Sequence, residues 1–196
     1  MSFSKKISLL ATSFLMMVLT AQVSLAQTYK VNNSASDLKV EGTSNVHDWE
    51  LDAEKMSGSL TAELNEGQLT EISKLDFTVV AESLNSGKGG MDKNTYKALK
   101  TNNYDKIIYT LAKVNNLDCT SASQCKINTS GYLTIAGTKK PVDITFNAKV
   151  NGDKIVLSGN KTLDMTDFNV EPPTAMFGAI TTGKEVTIKF NTEFKK

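Results

Sequence analysis

From about residue 27 onward, apolar residues recur mostly at every second position, the period of a half-buried β-strand, and the period changes in one place. Met91, Thr95, Ala98 and Leu99 stand at i, i+4, i+7 and i+8, one face of a helix, while Asp92, Lys93, Lys97 and Lys100 turn to water. The spacing predicts a single short amphipathic helix over about residues 91–101, ending at Asn102 and Asn103. Directly after it, Ile107, Tyr109 and Leu111 alternate with Ile108, Thr110 and Ala112, a strand apolar on both faces at its start. One amphipathic helix in an otherwise β chain needs an apolar surface to cover. The open end or flank of a barrel provides it.

The remaining strands follow from the same alternation. Thr28–Val31 and Leu38–Thr43, joined by the polar run NNSASD, read as two strands or one bulged strand. Leu51 and Ala53 fall out of parity with Met56, Gly58, Leu60 and Ala62, which places a bulge or turn near Glu54 and Lys55. Leu75, Phe77, Val79 and Ala81 form one apolar face, as do Ile127 to Ile135, Ile144 to Val150, and Val186, Ile188, Phe190 and Phe194. Turns are predicted at Asn65–Gly67, Ala136–Pro141 and Asn151–Asp153. The run DFNVEPPTAMFGAITTGK is an irregular connection with two adjacent prolines, and a connection of that length is usually functional or packed as a lid. About eight to ten short, regularly spaced strands predict an all-β antiparallel sandwich or closed barrel, one domain spanning 27–196.

The first residues stand outside this pattern. Lys5 and Lys6, the apolar run Ile7–Ala21 and the small residues Ser24 and Ala26 make a cleavable export signal, residues 1–26, cut after Ala26. The apolar run is too short and too interrupted for a stable membrane anchor. The expected location is therefore periplasmic or secreted. Without Lys5 and Lys6 the formal charge falls from +1 to −1, and with no basic block there is no electrostatic reason to expect nucleic acid. Every fixed cation is lysine, so the bidentate arginine fork for carboxylate or phosphate is missing. Cys119 and Cys125, the two cysteines, flank TSASQ between strand-like runs, and in an exported protein they are expected to close a disulfide across a hairpin end.

The segments SNVHDWELDAEKMSGSL (44–60), MDKNTYKALK (91–100) followed by YDKIIYTL (104–111), GYLTIAGTKKPVDI (131–144) and MTDFNVEPPTAMFGAI (165–180) together resemble the YceI-like family of bacterial exported proteins. The match covers the whole mature chain in order, with Ala136 where a histidine is common and Asp105 where a proline is common. The resemblance implies a lipocalin-like, eight-stranded antiparallel barrel whose interior holds a long polyisoprenoid chain.

An eight-stranded barrel either fills itself with side chains or holds one small ligand. Small inward positions, Gly58, Ala62, Ala81, Gly131 and Ala148, suit a cavity or equally a dry core of matched large and small residues. The resemblance favours the cavity. Its expected lining is Leu60, Phe77, Val79, Ile107, Tyr109, Leu133, Ile144, Phe146, Ile188 and Phe190, with His47, Trp49, Met91, Leu99, Met176 and Phe177 at the mouth or cover. Lys88, Lys93, Lys139 and Lys140 are either a solvated face or a rim for a phosphate head. At about 0.8 kcal/mol per buried CH2, one isoprene unit contributes roughly 3 to 4 kcal/mol gross, so three or four units offset the cost of association without a polar anchor.

The expected partner is an apolar lipid, with no cofactor beyond a bound polyisoprenoid or isoprenoid quinone. A lone histidine cannot complete a metal site of ordinary coordination, and no nucleophile has a recognisable partner. Two other classes compete with the lipid-binding module: an enzyme using His47 with Asp48 or Glu50 as acid and base, and a dry interaction barrel.

Overall fold

The computed structural model describes residues 26–196, so the expected export signal lies outside the described residues except for Ala26. In chain order the strands are β1 (Gln27–Val31), β2 (Asp37–Ser44), β3 (Trp49–Ala53), β4 (Met56–Asn65), β5 (Gln68–Val80) and β6 (Leu84–Asn85). Helix α1 (Gly89–Leu99) follows, then β7 (Lys106–Ser121), β8 (Gln124–Ile135), β9 (Thr138–Asn151), β10 (Lys154–Asp164), β11 (Thr174–Ala175) and β12 (Ile180–Lys195).

The pairing order β1-β4-β5-β7-β8-β9-β10-β12 closes on itself, because Lys30 and Val31 of β1 also pair with Lys195 and Phe194 of β12. Three short strands extend three of these eight. β1 and β2 both run antiparallel along β12, meeting Phe194 and Asn191 on either side of a 3-10 turn at Asn33–Ala35. β3 continues β4 across Glu54–Lys55, and β6 continues β5 across a second 3-10 turn at Ala81–Ser83. The barrel is therefore eight antiparallel lines in sequential order, three of them kinked.

Polar side chains stitch the kinks, as buried or half-buried backbone groups require. The Met56 amide donates to Asn33 Oδ1 (2.6 Å) and Asn33 Nδ2 donates to the Glu54 carbonyl (2.9 Å). Asn32 Nδ2 donates to Glu193 Oε1 (2.7 Å) across the closing seam, while Lys154 Nζ of the neighbouring β10 bonds Glu193 Oε2 (3.0 Å). Ser83 Oγ accepts from the Lys55 amide (3.0 Å) and donates to the Val80 carbonyl (2.7 Å). The polar run after β1 is thus the joint that lets one strand line serve two heights of the barrel.

The two halves of the interior differ. Toward the end closed by the Glu66–Gly67 turn and the Cys119–Cys125 disulfide, Tyr29, Leu60, Leu69, Ile127 and Ile155 are almost wholly buried in one packed cluster. At the other end α1 lies across the gap left where β6 follows β3 rather than β7. Lys100 ends the helix in the left-handed region (φ 56°), with its amide on Lys97 and the Thr101 amide on Tyr96. None of the helix side chains is fully buried. It is a lid resting on the barrel.

The predicted hairpin turn at 136–141 is shorter than expected. Only Ala136 and Gly137 make it, and Lys139–Pro141 belong to β9.

Candidate functional site

Beneath α1 the barrel encloses a cavity of about 500 Å³, within the range of small-molecule sites. Its wall comes from alternate residues of nearly every strand, because side chains of period two reach the interior from each. Of the ten residues expected to line it, nine do: Phe77 and Val79 of β5, Ile107 and Tyr109 of β7, Leu133 of β8, Ile144 and Phe146 of β9, and Ile188 and Phe190 of β12. Leu60 does not. It is 0 % exposed in the packed cluster below, where it pairs across strands with Tyr29 and Leu75.

The floor is set by Leu75, Tyr109, Leu157 and Phe194. Tyr109 presents its ring to the cavity while its hydroxyl meets Thr129 Oγ1 at 3.2 Å, and Thr129 in turn donates to the Ile144 carbonyl (2.8 Å). Burial raises the Tyr109 phenol above its ordinary pKa, and the charge of Asp143 pushes the same way against the Thr129 bond. The phenol therefore stays neutral, and its only polar atom is already engaged. Phe146 and Phe190 meet edge to face, centroids 6.4 Å apart.

None of the five small inward residues lines the cavity. A Cβ on Gly131 would lie 2.6 Å from the Tyr109 ring, and one on Gly58 would lie 2.2 Å from the Asp76 carbonyl oxygen. Ala62 and Ala148 belong to the packed cluster, and Ala81 sits in the 3-10 turn after β5. These positions serve close packing; the open space is bounded by large apolar residues instead.

The cover is built from α1 and from the connection before β12. Met91, Thr95, Ala98 and Leu99 face the cavity as the helical spacing predicts. His47 and Trp49 stand at the mouth, the indole lying over Gly42 and donating from Nε1 to the Thr43 carbonyl (3.0 Å). Met176 and Phe177 correct the expectation. They are 71 % and 112 % exposed, with φ of 51° and 56°, and they point away from the cavity. Met165, Phe168 and Val170 of the same connection line it in their place. That turn is pinned by Asp164, which accepts from the Thr166 amide (2.9 Å) and hydroxyl (2.6 Å) and meets Lys184 Nζ at 2.8 Å. Lys184 and the two Thr166 bonds hold the Asp164 carboxyl down to about 2. Lys100 Nζ bonds the Asn169 carbonyl (3.0 Å), tying lid to connection.

Acid–base chemistry finds little support at the mouth. His47 is exposed, with Nδ1 on the Asp48 backbone carbonyl (2.8 Å), and Glu50 is paired with Lys39 (3.3 Å). Among the described residues no group of three or more His, Cys, Asp or Glu could hold a metal ion. Of the four rim lysines, Lys88 lines the cavity, whereas Lys139 lies over the Tyr132 ring at 4.5 Å. Sequence reasoning missed Leu38, Val40, Leu51 and Leu84, which extend the wall on the kinked side, and Lys161, which interrupts the apolar face of β10.

An eight-stranded barrel, packed at one end and hollow under a helix at the other, defines a protein with room for a small apolar ligand. The YceI-like domain model matches residues 29–194, and the chain belongs to the YceI-like family. Similar solved structures include Burkholderia cenocepacia BcnA, at 19 % identity and TM-score 0.63 over 83 % of this chain and 98 % of that one. A polyisoprenoid binding domain from Saccharophagus degradans implicated in plant cell wall breakdown matches at 14 % identity and TM-score 0.64, covering 85 % of this chain and 97 % of that one. The Campylobacter jejuni YCEI protein follows at 19 % identity and TM-score 0.52, over 74 % and 84 % of the two chains. At these identities the likeness is one of fold. No curated protein matches the chain.

Proposed function

We propose that this protein binds one long apolar lipid of isoprenoid type inside the barrel and sequesters or carries it in the periplasm. The carrying observation is the 500 Å³ cavity, walled by aliphatic and aromatic side chains and partly covered by a helix with no fully buried residue. Burial of apolar chain drives the binding, at about 0.8 kcal/mol per CH2. Membership of the YceI-like family and the likeness to a polyisoprenoid binding domain support that class of ligand. Release requires that α1 lift from four polar anchors, Tyr96 Oη to the Leu84 carbonyl (3.0 Å), Asp92 to Ser86, Thr101 Oγ1 to Glu82 (2.7 Å) and Lys100 to Asn169, and from the apolar contacts of Met91, Ala98 and Leu99. Elements with so little burial open at low free-energy cost.

Trp49, the single tryptophan, stands at the mouth and reports on occupancy. Titration of the ligand-free protein with a polyprenol is expected to give a saturable change in its emission at a one-to-one endpoint, with the polyprenol co-eluting in gel filtration. No saturation and no co-elution would overturn the proposal.

A further inference from the structure

The barrel wall is split on one side. β9 and β10 pair from Asn151↔Lys154 to Phe146↔Gly159 and no further. Beyond that point β9 keeps only β8 as a neighbour, through to Thr138↔Ile135, and β10 keeps only β12, through to Asp164↔Glu185. Pro141, which has no amide hydrogen to give a neighbour, lies in this unpaired part of β9. On the outer surface the split opens into a polar slot floored by Phe146 and Gly159, residues at the last paired step.

Lys161 stands at the split. Ile155, Leu157, Gly159, Lys161 and Leu163 are alternate residues of β10 and share its inward face, and Lys161 is the one charged member of that set. It borders both the apolar cavity and the outer slot. It is half-buried, and among the described residues no carboxylate pairs with it, which it shares with exposed lysines such as Lys88 and Lys126. An ammonium so placed at the edge of an apolar chamber is costly to desolvate without a counter-charge. Around it the slot offers Asn160 as a neutral donor and Lys126 as a second cation, while Thr145 Oγ1 already donates to Asn128 Oδ1 (2.9 Å) and Thr162 Oγ1 is paired with Thr187 Oγ1 (3.0 Å). The one acid there, Asp143, accepts from Ser130 Oγ at 2.6 Å and keeps its negative charge, against which the slot sets the two lysines Lys126 and Lys161.

We propose that the slot between β9 and β10 seats the polar head of the bound lipid, that this head is an anionic phosphate-type group, and that Lys161 is its principal contact. This rests on the reading of the cavity as a lipid site and adds to it a head-group class and a side exit. The apolar chain lies under α1 while the head reaches solvent laterally through the wall. The rim lysine Lys88, at the helix end of the cavity, lies outside the slot.

The test compares geranylgeraniol with geranylgeranyl monophosphate on the full chain. A charge-assisted contact predicts about tenfold or greater preference for the phosphate, falling as salt rises. Lys161→Gln is expected to abolish that preference while changing geranylgeraniol affinity less than about twofold, and Lys88→Gln to leave the preference intact. In the unaltered protein, acylation of Lys161 is expected to be slowed by the prenyl phosphate and not by geranylgeraniol, which keeps the test open should the variant fail to fold. If geranylgeraniol itself does not bind, the lipid reading fails. If both ligands bind equally, or the preference survives Lys161→Gln or vanishes with Lys88→Gln, the head-group assignment alone falls. Equal protection of Lys161 by inorganic phosphate at the same concentration would also overturn it, marking a site for the free ion.

Discussion

The ring of Tyr109 fills the space that a side chain at Gly131 would need, since a Cβ there would lie 2.6 Å from the ring and from its hydroxyl and 2.7 Å from the Thr110 carbonyl. Their strands are neighbours, with Gly131 opposite Leu111 and Tyr109 opposite Leu133. This contact fixes the height at which the dry half of the barrel gives way to the hollow half.

Gly131→Ala is therefore expected to destabilise the fold by roughly 1 to 3 kcal/mol, the usual cost of overpacking, since a buried ring and a backbone carbonyl both stand within 2.7 Å of the added atom. Chemical denaturation measures it. Tyr109→Phe removes only the hydroxyl bonded to Thr129, and leaves the ring in place as floor. Its cost is expected near 1 kcal/mol.

Cavity volume and stability separate at Ala98. This residue faces the cavity from α1 and has open space before it, so Ala98→Phe is expected to take up chain volume with little loss of stability. Affinity for a polyprenol falls about tenfold or more, equivalent to two displaced CH2 groups at about 0.8 kcal/mol each. Calorimetry with the ligand and thermal melting without it check the two halves of the statement.

Met176 and Phe177 lie outside the lid, so their conversion to serine in one double variant is expected to leave polyprenol affinity within about twofold and stability within about 0.5 kcal/mol, as for other surface changes. A large loss of affinity would restore them to the cover. His47→Ala is likewise expected to keep lipid affinity, and no turnover of a bound polyprenol is expected from either protein.

Asp164 predicts a pH dependence at low pH. Its carboxyl titrates at about 2 in the fold against an ordinary 3.8, held down first by Lys184 and then by Thr166. A depressed folded value contributes stability above the ordinary pKa, and that contribution is lost as pH falls from there toward 2. Asp164→Asn is expected to flatten the acid side of the stability profile in this window, and Lys184→Gln to raise the carboxyl toward its ordinary value in a carbon-13 titration.

The disulfide joins Cys119 to Cys125 across the β7–β8 hairpin, where Cys125 is buried in the packed cluster. Loop entropy for so short a ring gives about 2 kcal/mol. Reduction is expected to lower Tm by roughly 4 to 8 °C for a domain of this size.

Most of the site was legible because strand alternation is local. Phe77, Ile107, Phe146 and Ile188 betray their inward direction by parity alone, and the helix betrays its apolar face by the shift to i, i+4, i+7 and i+8. Depth along the barrel is not local. Leu60 shares its parity with true wall residues and differs only in lying near the packed end. The small residues misled for a related reason, since a glycine marks a close neighbour as readily as an empty space, and Gly131 and Gly58 have backbone or ring against them. Met176 and Phe177 turn outward through left-handed backbone, which their residue types do not announce. The split between β9 and β10 is likewise not local, because only the register shows that their pairing stops at Phe146 and Gly159, beside Lys161.

The most direct test of the central claim is native mass spectrometry of the protein purified from the soluble envelope fraction of its own host, with organic extraction of whatever it releases. A polyprenyl species at near one-to-one occupancy is the predicted result. A protein that arrives empty and also refuses an offered isoprenoid would contradict the account, and the cavity would then have no lipid to hold.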